Sequence, residues 1–325
     1  MTENLRFYAA ANTCAGYVSF LDEYAARCEK TISVKNAPET CRRLIEDRLG
    51  RCLKILRPGT ADFAEGFYFP EKSALIADAA VLPQAKYAFE FAEGEAADLS
   101  GLYDKMYALL ADAKIIHDEW EKIYISEMDF SSADRIANRI LVNIPEKTGE
   151  RTGENENRFF GSMLPEGSVN YINGLTDGFA KRIFIKGRPG SGKSTLMRKL
   201  AEAARERGFD TESYFCSFDP GSYDMVIIRE IGFCIFDATA PHELFPKRVS
   251  DETLDLYALC INHETDTKFA AELSNISGRY AEKMNEARKI LAETENARTE
   301  YNSKLSFDKN NAEKIIAQMK EVIGI

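Results

Sequence analysis

Apolar residues follow three spacings along the chain. Short continuous runs stand at "RIFIK" (Arg182 to Lys186) and over Phe233 to Phe236, where Asp237 ends the run; both read as strands buried on two faces. Helical spacing governs Leu196, Met197, Leu200 and Ala204, with Gly208 as the stop. Longer stripes of fours and threes run through Leu102, Met106, Leu109, Ala113, Ile116, Trp120 and Ile123, and through Phe269, Leu273, Ile276, Tyr280, Met284, Ala287 and Leu291. They predict two long amphipathic helices. A shorter helix follows each, led by "DFSSADRI" and "SFDKNNAEKI", whose Ser and Asp residues suit N-caps. "DTESYFCSFDPGSYD" reads as one more strand, ending at Cys216 or Ser217, and then an acidic loop.

The whole pattern occurs twice. Gly16 matches Gly167, Lys30 matches Lys181, Lys35 matches Lys186, Pro38 matches Pro189 and Leu49 matches Leu200, all at one offset. Further on, "SALIADAAVLP" lies over "GFCIFDATAPHE", setting Asp78 opposite Asp237, and "YISEMDFSSADRIANRI" lies over "YNSKLSFDKNNAEKIIAQM". Self-similarity over irregular segments and both ends points to a tandem duplication, with halves at 1–150 and 151–325. The expected fold is α/β: two duplicated domains, each a parallel sheet flanked by helices and each with a long-helix appendage. The long stripes would pack on their own domain or on each other. A partner-binding or self-associating arm is the alternative.

Composition narrows the class. Hydrophobic residues make up 45% of the 325 positions and charged residues 29%, the mixture of a soluble globular protein. No run approaches the ~18 apolar residues of a membrane span. "MTENLRFYAAANT" lacks the basic segment and apolar core of a secretory leader, so a cytoplasmic location is expected. Seven cysteines are scattered and never spaced CxxC; reduced thiols are expected, with neither a disulfide framework nor a metal site. The formal charge of −10 argues against a broad surface for nucleic acid, which needs clustered Lys and Arg.

Between the strand at 182–186 and the following helix lies "GRPGSGKST". It fits G-x-x-x-x-G-K-[ST], the phosphate loop or Walker A motif, and names Gly187, Pro189, Gly190, Ser191, Gly192, Lys193, Ser194 and Thr195 as nucleotide-binding residues. Glycines let backbone amides turn inward around phosphate oxygens. Lys193 would reach the β- and γ-phosphates and Ser194 would hold Mg²⁺, while the helix start adds its positive end. The magnesium also needs a carboxylate at the end of a neighbouring strand, and Asp237 is the candidate. Asp219 and Asp224 are candidates for facing the γ-phosphate or a substrate. No glutamate follows Asp237, since Ala238 and Thr239 come next. Glu230 and Glu243 are the fallback residues for orienting water, and Arg229 and Arg188 for transition-state charge. In the first half the equivalent stretch is "NAPETCRRL", with every glycine gone and Arg42 at the lysine position. That half is expected to have lost its nucleotide site.

"GYVSFLDEY", "KGRPGSGKSTLMRKL", "FCSFDP", "FDATAPHE" and "AKIIHDEWEKIYISEMDFSSAD" carry a resemblance to a family of tandem P-loop ATPase-like proteins of Gram-positive, often anaerobic or spore-forming bacteria. It covers nearly the whole chain and implies Mg-ATP binding by Gly187, Gly192, Lys193, Ser194, Thr195 and Asp237. Members of that family commonly keep an intact loop in both halves, and this first half departs from the pattern. The expected function is binding of Mg-ATP and its hydrolysis in the C-terminal half, with the N-terminal half as a regulatory or structural copy that could complete the site at the interface between the copies. One alternative is a kinase passing phosphate to a small molecule near Asp219 and Asp224. The other is a nucleotide-gated interaction switch. ATP is preferred to GTP because no convincing N-K-x-D sequence is present.

Overall fold

The computed structural model describes residues 5–94, 97–146, 151–306 and 308–325. The expected boundary between halves adjoins 147–150, and the leader reading rests partly on 1–4; both stretches lie outside the described residues. The first half runs β1 (Arg6–Phe7), β2 (Ala10–Thr13), β3 (Gly16–Ser19), α1 (Leu21–Ala26), β4 (Lys30–Lys35), α2 (Glu39–Leu49), β5 (Leu53–Leu56), β6 (Ala64–Phe69), β7 (Ala74–Asp78), β8 (Tyr87–Glu90), α3 (Ser100–Ser126) and α4 (Phe130–Leu141). The second begins with β9 (Asn155–Arg158), β10 (Gly161–Leu164), β11 (Gly167–Asn170), α5 (Ile172–Thr176), β12 (Lys181–Lys186) and α6 (Lys193–Glu206). It continues through β13 (Thr211–Phe215), β14 (Tyr223–Ile228), β15 (Phe233–Asp237), β16 (Asp251–Asp255), α7 (Leu256–Cys260), α8 (Thr265–Lys268), α9 (Ala270–Lys304) and α10 (Lys309–Ile323).

Each half builds a six-stranded sheet, and the two sheets have the same order. The first reads β1-β5-β6-β7-β4-β8 and the second β9-β13-β14-β15-β12-β16, so every strand has its counterpart in the same place. The sheets are mixed, which corrects the expectation of wholly parallel ones. β6 runs against both β5 and β7, and β14 against both β13 and β15, while the other pairs are parallel. The reason is connection length: 57–63, 70–73, 216–222 and 229–232 are too short for a parallel crossover, which takes about a dozen residues or more.

Strand β15 shows why a continuous apolar run was needed. Phe233 and Ile235 face one core cluster while Cys234 and Phe236 face another. The second cluster is shared: Leu75 and Ala77 of β7 lie in it with Cys234 and Phe236, so the inner faces of the two sheets form one core. At its edge Tyr8 and Phe159, which are equivalent residues, exchange backbone hydrogen bonds of 2.9 and 2.8 Å. A residue bonding its own counterpart reciprocally marks an approximate two-fold axis between the halves.

The outer faces are covered by an exchange of helices. On the second sheet, α6 is joined by Ala137 and Ile140 of α4, a helix from the first half. On the first sheet, α2 is joined by Ala312, Ile316, Met319 and Ile323 of α10, from the second half. The long helices make this reach possible: α3 and α9 pack antiparallel through Met106, Leu110, Ala287 and Leu291, with Asp112 and Lys283 paired at 3.0 Å. The two amphipathic stripes therefore cover each other. As their sequence leads suggested, α4 and α10 are capped by Asp129 and Asp308, whose side chains accept from the amides of Ser132 and Asn310. Among the described residues no helix is long and apolar enough to cross a membrane.

Candidate functional site

β12 delivers the chain into a loop at 187–192, and α6 takes it away from Lys193. Gly190 (φ 74°) and Gly192 (φ 84°) hold left-handed backbone that costs other residues roughly 1–2 kcal/mol. A Cβ on Gly187 would lie 2.4 Å from Ser191 Oγ and 3.3 Å from its Cβ, so the Ser191 side chain would have to turn aside. The helix begins without a capping side chain. The amides of Lys193, Ser194 and Thr195 are thereby left for an anion at the positive end of the helix.

Lys193 folds back over this loop. Its Nζ donates to the carbonyls of Gly187 at 2.9 Å and Arg188 at 3.0 Å, and lies 3.5 Å from Asp237 Oδ2. Asp237 ends β15 directly beside Ile185 of β12, and its Oδ1 accepts from the Thr239 amide at 2.9 Å and from the Thr239 hydroxyl. Ser194 Oγ accepts from the Tyr223 amide at 2.9 Å, which uses one of the hydroxyl's two lone pairs. Asp224 lies buried on β14, one strand over. Burial first, then the charge of Asp237, raise its pKa well above the ordinary carboxylate range, while a hydrogen bond from the Cys216 thiol and the charge of Lys193 pull it back. Ser194, Asp237 and Asp224 offer the hard oxygen donors that Mg²⁺ takes.

The other candidates separate by position. Pro189 is half-buried, Ser191 is buried with its Oγ unpartnered, and Thr195 is exposed on the first turn of α6. Asp219 holds its own turn, accepting from the Gly221 amide at 3.1 Å and the Ser222 hydroxyl at 3.3 Å, and lies 3.5 Å from Lys114 Nζ. Asp224, expected in the acidic loop, is on a strand. Glu243 is exposed and 3.9 Å from Lys186; Arg188 bonds Asp266 at 2.6 Å. Glu230 and Arg229 are not at this site. They form the turn joining β14 to β15, at the end of those strands remote from Asp237, and Arg229 binds Glu212 there at 2.6 and 2.7 Å.

The first half closes the equivalent place with its own side chains. Arg42 is buried on α2; its guanidinium donates to the carbonyls of Ala37 at 3.2 Å and Ala64 at 3.5 Å and pairs with Asp78. Arg42 and Asp78 thus repeat the contact of Lys193 and Asp237 in a shut form. A cavity of about 540 Å³ opens beside Arg42, Lys54 and Arg57, but each of these cations already has a carboxylate: Asp78, Glu46 with Asp62, and Glu295. It is no substitute for the glycine loop.

Sequence reasoning missed what lies over that loop. A Cβ on Gly190 would meet the Glu121 carbonyl oxygen at 2.7 Å, and one on Gly192 would meet Met128 Cε at 2.9 Å. The end of α3, from the first half, therefore rests on the glycine loop of the second. Lys114, His117, Asp118 and Glu121 line the adjoining part of α3, and the His117 ring meets Phe218 edge-on at 5.9 Å. The available signal was a polar stripe at helical spacing beside the apolar one.

Compared with known proteins, the chain matches no family model, no curated protein and no solved structure.

Proposed function

We propose that this chain is a Mg-dependent nucleoside triphosphatase using ATP, with its site at Gly187 to Thr195, and that its halves arose by duplication. This reading extends the resemblance to tandem P-loop ATPase-like proteins and makes the first half a degenerate structural and regulatory copy. The observation that carries it is the contrast between equivalent positions. Both helices begin without a capping side chain, but Lys193 follows a glycine loop and lies 3.5 Å from Asp237, whereas Arg42 follows a loop without glycine, is buried, and is shut against Asp78.

On binding, Lys193 Nζ exchanges the carbonyls of Gly187 and Arg188 for phosphate oxygens, and the first-turn amides of α6 take the remaining negative charge. Ser194 keeps a lone pair for the cation, with Asp237 and Asp224 beside it. Mg-ATP supplies the scissile phosphoanhydride and the metal's charge. Phosphate transfer to a small acceptor is disfavoured because Asp219 is engaged by its own turn and by Lys114. The switch reading keeps one specific support, the seat of α3 on the loop.

Phosphate release with Mg-ATP, measured for wild type and Lys193→Ala, tests the reading. Wild type should turn over and the variant should lose about two orders of magnitude or more. Equal rates in both would place the activity elsewhere.

A further inference from the structure

Hydrolysis needs a group that orients the attacking water; Ala238 and Thr239, which follow Asp237, offer no carboxylate for it, and Glu243 is exposed beside Lys186. α3 brings one from the other half. Glu121 sits where its own backbone carbonyl limits Gly190 to a glycine. Its carboxylate receives no hydrogen bond among the described residues; His117 Nδ1, buried without a hydrogen-bond partner, lies 3.8 Å away, and an Asp118 carboxylate oxygen lies within 4.8 Å of both. The other carboxylates nearby are engaged: Asp118 pairs with Lys114, and Asp219 holds its turn and faces the same lysine. Burial raises the pKa of Glu121, with Lys114 and Lys193 opposing and Asp118 and Asp219 adding to the rise. A half-buried carboxylate within reach of the Lys193 charge has the character of a base.

The repeat supplies a control. In the alignment of the two chain segments, α9 carries Arg298 where α3 has Glu121, and Thr294 where α3 has His117. Arg298 donates to the Tyr103 hydroxyl at 2.7 Å and serves the closed half. At these two positions the acid and the imidazole occur only on α3.

We propose that the first half completes the catalytic site of the second: Glu121 orients the attacking water and accepts its proton, and His117, whose Nδ1 lies 3.8 Å from that carboxylate, is the positioning residue that closes to a hydrogen bond with it when the site is filled. The inference rests on the hydrolase reading above. As the water oxygen bonds to the γ-phosphorus, the bond from that phosphorus to the bridging oxygen breaks. ADP leaves with the electron pair, and the proton passes to Glu121 and then to solvent.

The test uses the full chain and two readouts. Trp120 is the sole tryptophan and lies between His117 and Glu121 in sequence, with its ring 6.4 Å from that of His117, so its emission reports nucleotide arrival on α3. Glu121→Gln should bind a non-hydrolysable Mg-ATP analogue within about twofold of wild type, while kcat falls about 10²- to 10⁴-fold. Glu121→Asp should fall between them, and His117→Gln should lower kcat less than Glu121→Gln does. Glu121→Gln and Glu121→Asp turnover at the wild-type rate would overturn the proposal. So would equal loss of binding and turnover in both, which is the mark of a structural role. Absence of binding by wild type would overturn the hydrolase reading itself, and this inference with it.

Discussion

Asp224 and Asp237 stand at the same end of neighbouring antiparallel strands, and the fold favours keeping Asp224 protonated when no cation is near. Its folded pKa lies above its unfolded value of about 4. The stability it contributes is therefore complete below that value and is lost as pH rises through the raised folded pKa. On the proposed reading Mg²⁺ would take the ionised form of Asp224, so its binding would expel a proton and tighten over the same rise in pH. Asp224→Asn should raise the melting temperature of the ligand-free protein at mildly alkaline pH and flatten the pH dependence of Mg-ATP affinity. Wild-type affinity that ignores pH would count against this account. In the first half, Arg42→Met leaves Asp78 without its partner and should cost about 1–3 kcal/mol in urea denaturation. At this scale the sequence was legible where placement is local: Gly187 to Thr195 between β12 and α6, Asp237 at the end of β15, and Arg42 at the position equivalent to Lys193. Glu230 and Arg229 misled because seven or eight residues from Asp237 in sequence, across a hairpin turn, means the opposite end of a strand.

Among the elements, the glycine loop and α3 constrain each other. Gly190→Ala places a Cβ against the Glu121 backbone in a left-handed conformation; the conformation alone costs roughly 1–2 kcal/mol. It should weaken both stability and nucleotide binding, read by denaturation and by titration of Trp120 emission. Leu291 is fully buried between α3 and α9, and Leu291→Ala should cost about 2–5 kcal/mol. The long helices were legible from their stripes, although α3 buries Leu110 and Tyr124 where the spacing pointed to Leu109 and Ile123. The strands β6 and β14 were not read from the sequence, and with them went the expectation of wholly parallel sheets. The turn lengths decide their direction.

Across the whole molecule, the exchange of α4 and α10 ties the halves into one folding unit. Chains 1–150 and 151–325 produced separately should each bare one outer sheet face, bind a hydrophobic dye and aggregate, and recover when produced together. Two well-behaved separate halves would contradict the exchange. The repeat itself was legible as self-similarity, and the closed and open loops as a change in glycine content. That each half covers the other was not, since an amphipathic helix shows that it needs a partner face and leaves open which one. The account as a whole stands on one open loop per chain. Isothermal titration with a non-hydrolysable Mg-ATP analogue tests that most directly. It should give one site per chain in wild type and none in Lys193→Ala. Two sites per chain, or binding that survives in Lys193→Ala, would contradict it.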